Sequence, residues 1–141
     1  MKSWTLRRKT NRPKNNMNKT ARKQLLTRSN SIVVVKYFNT RNSGERGLMF
    51  RKTKLGERCG ALFSGGPFKG VWMKNTYIPL DVIVIDSNNV VVETVTNMKP
   101  LSNRVHFFNS KSVSKFIEVD HGFVEKNKIR KGQKLKLYFE R

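Results

Sequence analysis

Hydrophobic and polar positions along the chain fall into short runs broken by turn residues, and the runs are of the strand type. Ser31 to Phe38 (SIVVVKYF) is β-branched and aromatic and predicts a strand. Asn39 to Gly44 is a polar turn, and Glu45 to Thr53 suits a short helix or turn around Leu48, Met49 and Phe50. Gly60 to Ser64 (GALFS) is a short apolar run expected to end at Gly65-Gly66-Pro67, and Gly70 to Lys74 (GVWMK) is another. Asp81 to Asp86 (DVIVID) and Val90 to Thr96 (VVVETVT) flank Ser87-Asn88-Asn89, and this is the clearest hairpin in the chain.

Val105 to Phe108, Val113 to Val119 (VSKFIEV) and Gln133 to Phe139 (QKLKLYF) follow as further strands. The last alternates Leu135, Leu137 and Phe139 on one face with Lys134, Lys136 and Tyr138 on the other. Gly122 to Ile129 reads as a short helix or turn. No internal repeat or heptad is present. About seven short strands separated by turns predict an all-β domain, a small barrel or jelly-roll-like sandwich with one or two short helices. Ile32, Val34, Leu62, Phe63, Trp72, Ile83, Ile85, Val91, Ile117, Leu135 and Leu137 are the expected core.

Charge divides the chain in two. Of its 141 residues 30 are Lys or Arg and 9 are Asp or Glu, a formal net charge of +21. The first acid is Glu45, and 12 basic residues precede it. Residues 1–30 therefore read as a basic arm, and residues 31–141 as the folded domain. The arm has few large apolar groups (Trp4, Leu6, Leu25, Leu26), too few to offset its chain entropy, and alone it is expected to be disordered. A weak helical stretch over Lys19 to Thr27 is its one local feature. Fully extended, it reaches roughly 100 Å.

Lys2, Arg7, Arg8, Lys9, Arg12, Lys14, Lys19, Arg22, Lys23 and Arg28 are the candidate polyanion-binding residues. Each such side chain set on a phosphate releases condensed counterions, which drives association without regard to sequence. Anionic lipid attracts the same pattern. Lys126, Lys128, Arg130, Lys131, Lys134 and Lys136 form a second basic cluster, readable either as a solvated face or as an extension of the arm's footprint.

Other classes are narrowed by what the sequence lacks. One Cys allows no disulfide framework within the chain. No run of about 18 apolar residues is present to span a membrane. The basic start has no apolar stretch after it, so a secretory signal peptide is not expected. The expected location is intracellular or inside a virion, with organelle targeting left open, since an acid-free Arg-rich start also occurs in transit peptides.

Candidate chemistry clusters in a few motifs. Arg46-Gly47-Leu48-Met49-Phe50-Arg51, Gly60-Ala61-Leu62-Phe63, Trp72-Met73-Lys74-Asn75-Thr76, Ile78-Pro79-Leu80-Asp81, Phe116-Ile117-Glu118 before Gly122, and Ile129-Arg130-Lys131-Gly132 occur in this order. Together they resemble the domain of unknown function 192 family, over about Ser31 to Tyr138. The resemblance implies a compact β-barrel or jelly-roll-like domain and carries no settled enzymatic activity. Many bacterial members look exported, where this chain has its basic arm. The family usually has Met where this chain has Ala61. Its "LELPAG"-like segment appears here as Ile117-Glu118-Val119-Asp120-His121-Gly122, so no ligand site built on that loop is carried over.

Arg51, Trp72, Asn75, Asp81 and Glu118 are the candidate pocket or structural network. Asp81 and Glu118 would be acid and base in a pocket. Alternatively Arg51 would hold a carboxylate, as its planar fork suits, and Asn75 would tie down the turn before Pro79. Trp72, Phe68, Tyr77 and Phe107 offer stacking surfaces for bases, or simply core and rim. Cys59 lies beside Arg58, but neither His106 nor His121 is placed near it in sequence, so a passive buried thiol is expected. No catalytic residue, cofactor or metal site is assigned, because neither metal-ligand nor phosphate-loop spacing is present.

Two functional expectations follow. In the first, the chain is a non-enzymatic interaction protein, a β-domain held among neighbouring proteins of a large assembly such as a virion. Its basic arm contacts nucleic acid, acidic protein or anionic membrane. In the second, it is a small-molecule-binding domain or cryptic enzyme built on Arg51, Asn75, Asp81 and Glu118.

Overall fold

The structure, a computed structural model, describes residues 30–39, 46–110 and 112–140. The expected arm apart from Asn30, its ten basic candidates, and the weak helix over Lys19 to Thr27 lie outside the described residues. The described part is mainly β, as the sequence pattern predicts. Its strands are β1 (Ser31–Phe38), β2 (Cys59–Phe68), β3 (Gly70–Val71), β4 (Leu80–Ile85), β5 (Val91–Met98), β6 (His106–Phe107), β7 (Val113–Asp120) and β8 (Lys136–Phe139). One short helix, α1 (Phe123–Lys126), follows the left-handed Gly122 (φ 93°).

Six strands form a mixed sheet in the order β5-β4-β7-β2-β1-β8, and β3 pairs with β6 in a small second sheet. β1 runs parallel to both β2 and β8, and the other pairs are antiparallel. The main sheet is not closed into a barrel. Its two ends approach at an isolated bridge, Val90 to Lys134, flanked by the Val91 N–H donating to the Gln133 carbonyl at 2.8 Å, the Leu135 N–H to the Asn89 carbonyl at 2.9 Å and the Gly132 N–H to the Val91 carbonyl at 2.7 Å.

Both faces of the sheet are covered, which explains the near-continuous apolar runs of β1 and β4. Period-two alternation along β4 sends Val82 and Val84 into one cluster with Ala61, Phe63 and Phe116. It sends Ile83 and Ile85 into another with Ile32, Leu62, Ile117 and Val119. The first face is covered by Leu48, Met73, Ile78 and Phe108, and the second by Phe123, Val124, Ile129 and Leu135. Fully burying an aliphatic side chain such as Ile83 or Ile117 contributes about 1.5–3 kcal/mol.

The hairpin, β1, the short helix and the alternating last strand lie where the pattern puts them. Leu135, Leu137 and Phe139 are buried, while Lys134 and Lys136 are exposed. Arg46 to Phe50 is mostly turn, one of the two forms expected there. Two expectations are corrected. β2 does not stop at Gly65-Gly66-Pro67 but continues to Phe68, with an irregular pairing between Ser64 and Phe68 that accommodates them. Trp72 is not core: it is 38% exposed. The two-residue strand β3 turns Val71 inward, and alternation turns the next side chain out.

Candidate functional site

β7 lies at the middle of the main sheet between β4 and β2, so its side chains are among the most enclosed. Glu118 shares a face with Phe116, and pairs in register with Ala61 on one side and Val82 on the other. It is 5% exposed. Among the described residues no hydrogen-bond donor reaches its carboxyl. Burial alone pushes its pKa up to about 8, so at neutral pH the group is mostly the uncharged acid.

A cavity of about 140 Å³ opens beside this carboxyl. Phe63, Phe68, Val71 and Phe116 contribute apolar wall, and Trp72, Arg46 and Lys74 reach it from the outside. Two of the sequence motifs build its cover. In the first, the Met49 N–H donates to the Arg46 carbonyl at 2.8 Å and the Arg51 N–H to the Leu48 carbonyl at 3.1 Å, closing a turn. The second motif docks on it through the Phe50 N–H, which donates to the Asn75 carbonyl at 2.7 Å. Phe50 and Asn75 both have left-handed backbone (φ 67° and 54°), a conformation better suited to Asn than to Phe. Thr76 is buried at the cavity, and its hydroxyl donates to the Lys74 carbonyl at 3.2 Å.

The cations are held by aromatic faces. The Lys74 ammonium lies 5.1 Å from the Trp72 ring centroid, and the Arg46 guanidinium 5.6 Å from that of Phe50.

Of the other members of the predicted network Trp72 lines this cavity, whereas Arg51, Asn75 and Asp81 do not. Among the described residues Arg51 holds no carboxylate. Its Nε donates to the Thr53 carbonyl at 2.8 Å and its Nη2 to the Lys54 carbonyl at 3.3 Å, fastening a loop. Asn75 acts through its backbone. Asp81 is 1% exposed but lies on the opposite face from Glu118, because it pairs with Val119 in register. Its carboxylate accepts the Asn97 N–H at 3.0 Å and the Gly122 and Val124 N–H groups at 3.1 Å each, with His121 Nδ1 3.5 Å away. It thereby joins β4 to the end of β5 and to the start of α1.

Sequence reasoning missed Arg46, Lys74 and Thr76 as cavity residues, although all three stand in quoted motifs. Of the proposed stacking surfaces, Trp72 and Phe68 line the cavity, whereas Tyr77 packs near Phe50 and Phe107 is 68% exposed on β6. Cys59 is buried.

A second feature lies where the arm would join the domain. The Asn30 side-chain amide donates to the Lys134 carbonyl at 3.1 Å, and the Lys136 N–H donates to the Asn30 carbonyl at 3.0 Å. Lys134 and Lys136, with Lys115, Tyr37 and Tyr138, line a groove of about 490 Å³. Desolvation lowers the Lys115 pKa against the pull of Asp86, and its Nζ donates to Asn89 Oδ1 at 2.8 Å.

The comparisons with known proteins agree with the motifs. The profile of domain of unknown function 192, described as an uncharacterized ACR family, matches residues 24–137. The chain belongs to this family. The match begins N-terminal of the expected domain start at Ser31. One solved structure similar to the chain is a candidate transcription regulator from Sinorhizobium meliloti 1021, 29% identical, covering 70% of this chain and 76% of that one, with a TM-score of 0.64. Another is a protein of unknown function from Novosphingobium aromaticivorans DSM 12444, 28% identical, covering 74% of this chain and 71% of that one, with a TM-score of 0.61. No curated protein matches the chain. Among the described residues, no helix is long and apolar enough to cross a membrane.

Proposed function

We propose that this member of the domain of unknown function 192 family is a non-enzymatic polyanion-binding protein. Its basic arm and the lysine-rich edge of its β-domain act as one electrostatic surface. The observation that carries this reading is the tie between Asn30 and the backbone of Lys134 and Lys136. It sets the residue adjoining the arm's ten basic side chains against the second basic cluster. From Lys126 to Phe139 that cluster contains no acidic residue. Charges within a Debye length of one another act together on a phosphate backbone, whereas scattered ones are screened from each other. Tyr37 and Tyr138 in the same groove add faces on which bases can stack.

Nucleic acid is the favoured polyanion, and the description of one solved relative as a candidate transcription regulator is in keeping with it. A virion or comparable assembly would supply the neighbouring proteins of this reading. The alternative, a pocket built on Arg51, Asn75, Asp81 and Glu118, has less behind it: Arg51 and Asp81 are engaged with backbone groups, and only Glu118 faces a cavity.

The test is a salt series of duplex-DNA binding by the full chain and by a Lys134→Gln/Lys136→Gln variant. The full chain is expected to give a steep log–log slope. The variant's slope is expected to be shallower by about 0.9 for each phosphate it no longer neutralises. Binding at background level at low salt would sink the proposal. A slope unchanged in the variant would confine any binding to the arm.

A further inference from the structure

The cavity beside Glu118 combines four features that a purely structural core does not need. Its polar wall is a nearly fully buried carboxyl with no donor among the described residues. Its other walls include the rings of Phe63, Phe68 and Phe116. Its volume, about 140 Å³, is close to that of a protein cavity of roughly 150 Å³ that takes up one benzene ring. Two exposed cations, Arg46 and Lys74, border it.

Each feature selects part of a ligand. Aromatic walls around a space of this size favour one planar six-membered ring. An apolar ring would leave the carboxyl unpaired, at a desolvation penalty that a ring with polar edge atoms removes. A carboxylic acid presents a donor and an acceptor side by side, so its complement is a ring edge carrying an adjacent acceptor and N–H donor. Pyrimidine bases have such an edge. The two cations at its border favour an anion carried on the same molecule.

We propose that this cavity binds a pyrimidine nucleotide, with the base edge on the Glu118 carboxyl and the phosphate at Arg46 and Lys74. The raised pKa of Glu118 fits the donor half of that pairing at neutral pH. The proposal is separate from the polyanion reading, since Lys134 and Lys136 line a different groove. The nucleotide is either free or part of a single strand, and the two sources share this chemistry.

Calorimetric titration of the full chain with UMP and CMP, against ribose 5-phosphate, tests it. At least one of the two nucleotides is expected to bind one per chain, about tenfold or more tighter than ribose 5-phosphate, as one bidentate base contact is worth. Glu118→Leu is expected to cost about tenfold or more in affinity for that nucleotide while melting no lower than the parent. Glu118→Gln keeps a donor and an acceptor in place and is expected to stay within about fivefold. Arg46→Gln/Lys74→Gln is expected to weaken the nucleotide more than the matching nucleoside. Nucleotides that bind no tighter than ribose 5-phosphate would overturn the proposal. So would undiminished binding by Glu118→Leu, or complete loss in a folded Glu118→Gln. A hexamer of uridine binding about tenfold tighter than UMP assigns the site to a strand, and equal or weaker binding assigns it to the free nucleotide; either supports the pocket.

Discussion

Asp81 and Glu118 lie on neighbouring strands of one sheet, and both are almost wholly removed from solvent. They face opposite sides and have opposite surroundings. Asp81 receives three backbone N–H groups from two separate places in the chain, Asn97 on β5 and Gly122 and Val124 at the start of α1. Glu118 meets aromatic rings and a cavity, and its pKa rises to about 8. The same chemical group is a fastener on one face and an unmet need on the other. The difference lies in satisfaction, not burial: a carboxylate with donors organises its neighbours, while one without them keeps its proton and lowers stability. Strongly perturbed carboxyls of this kind cluster at functional sites.

The contrast breaks most sharply at Asp81. Asp81→Ala leaves three N–H groups without their acceptor and is expected to cost about 3–5 kcal/mol in urea unfolding. A cost below about 1 kcal/mol would mean the loops around Asn97 and Gly122 are held by something else.

The next effect is a pH dependence from Glu118. Its folded-state pKa, about 8, stands above the ordinary 4.5, so the folded chain holds this proton more tightly than the unfolded chain. Its stability contribution is therefore fully present below about pH 4.5, and is lost progressively as pH rises to about 8. Within that window the slope approaches about 1.4 kcal/mol per pH unit. The charged neighbours at the cavity, Arg46 and Lys74, both favour the ionised form and would moderate it. Glu118→Leu should remove this component, and denaturation midpoints from about pH 5 to 8.5 measure the difference. Profiles of equal slope in the two proteins would mean the carboxyl is solvated.

The smallest effect is expected at Arg51, whose partners are two loop carbonyls on a partly exposed surface. Arg51→Ala should cost about 1 kcal/mol, and a much larger loss would point to a carboxylate partner after all.

Much of the fold was legible because it rests on local rules. The β4–β5 hairpin is announced by Ser87-Asn88-Asn89 between β-branched runs, and Asp86 Oδ1 indeed accepts the Asn88 and Val90 N–H groups at 2.8 and 3.0 Å within that turn. Alternation from Lys134 to Phe139, into and along β8, separated the buried Leu135 and Leu137 from the exposed Lys134 and Lys136. Trp72 was misread because hydrophobicity gives no face, and the two-residue strand before it offers too short a period to assign one. The network of Arg51, Asn75, Asp81 and Glu118 was grouped by polarity and motif. Residues grouped in that way need not share a face.

What the sequence determined by itself is the β class, the family and the division into a basic N-terminal segment and a mixed-charge domain, since periodicity, turn chemistry and charge are additive along the chain. The tertiary structure alone decided which polar groups meet. Parity within β4 ties Asp81 to Ile83, and parity within β7 ties Glu118 to Phe116, but only the pairing of Asp81 with Val119 sets the two carboxyls on opposite faces. A shift of one residue in that register would have reversed the result, and register is a property of two strands whose paired residues Asp81 and Val119 lie 38 residues apart in the chain (119 − 81), not of either strand alone.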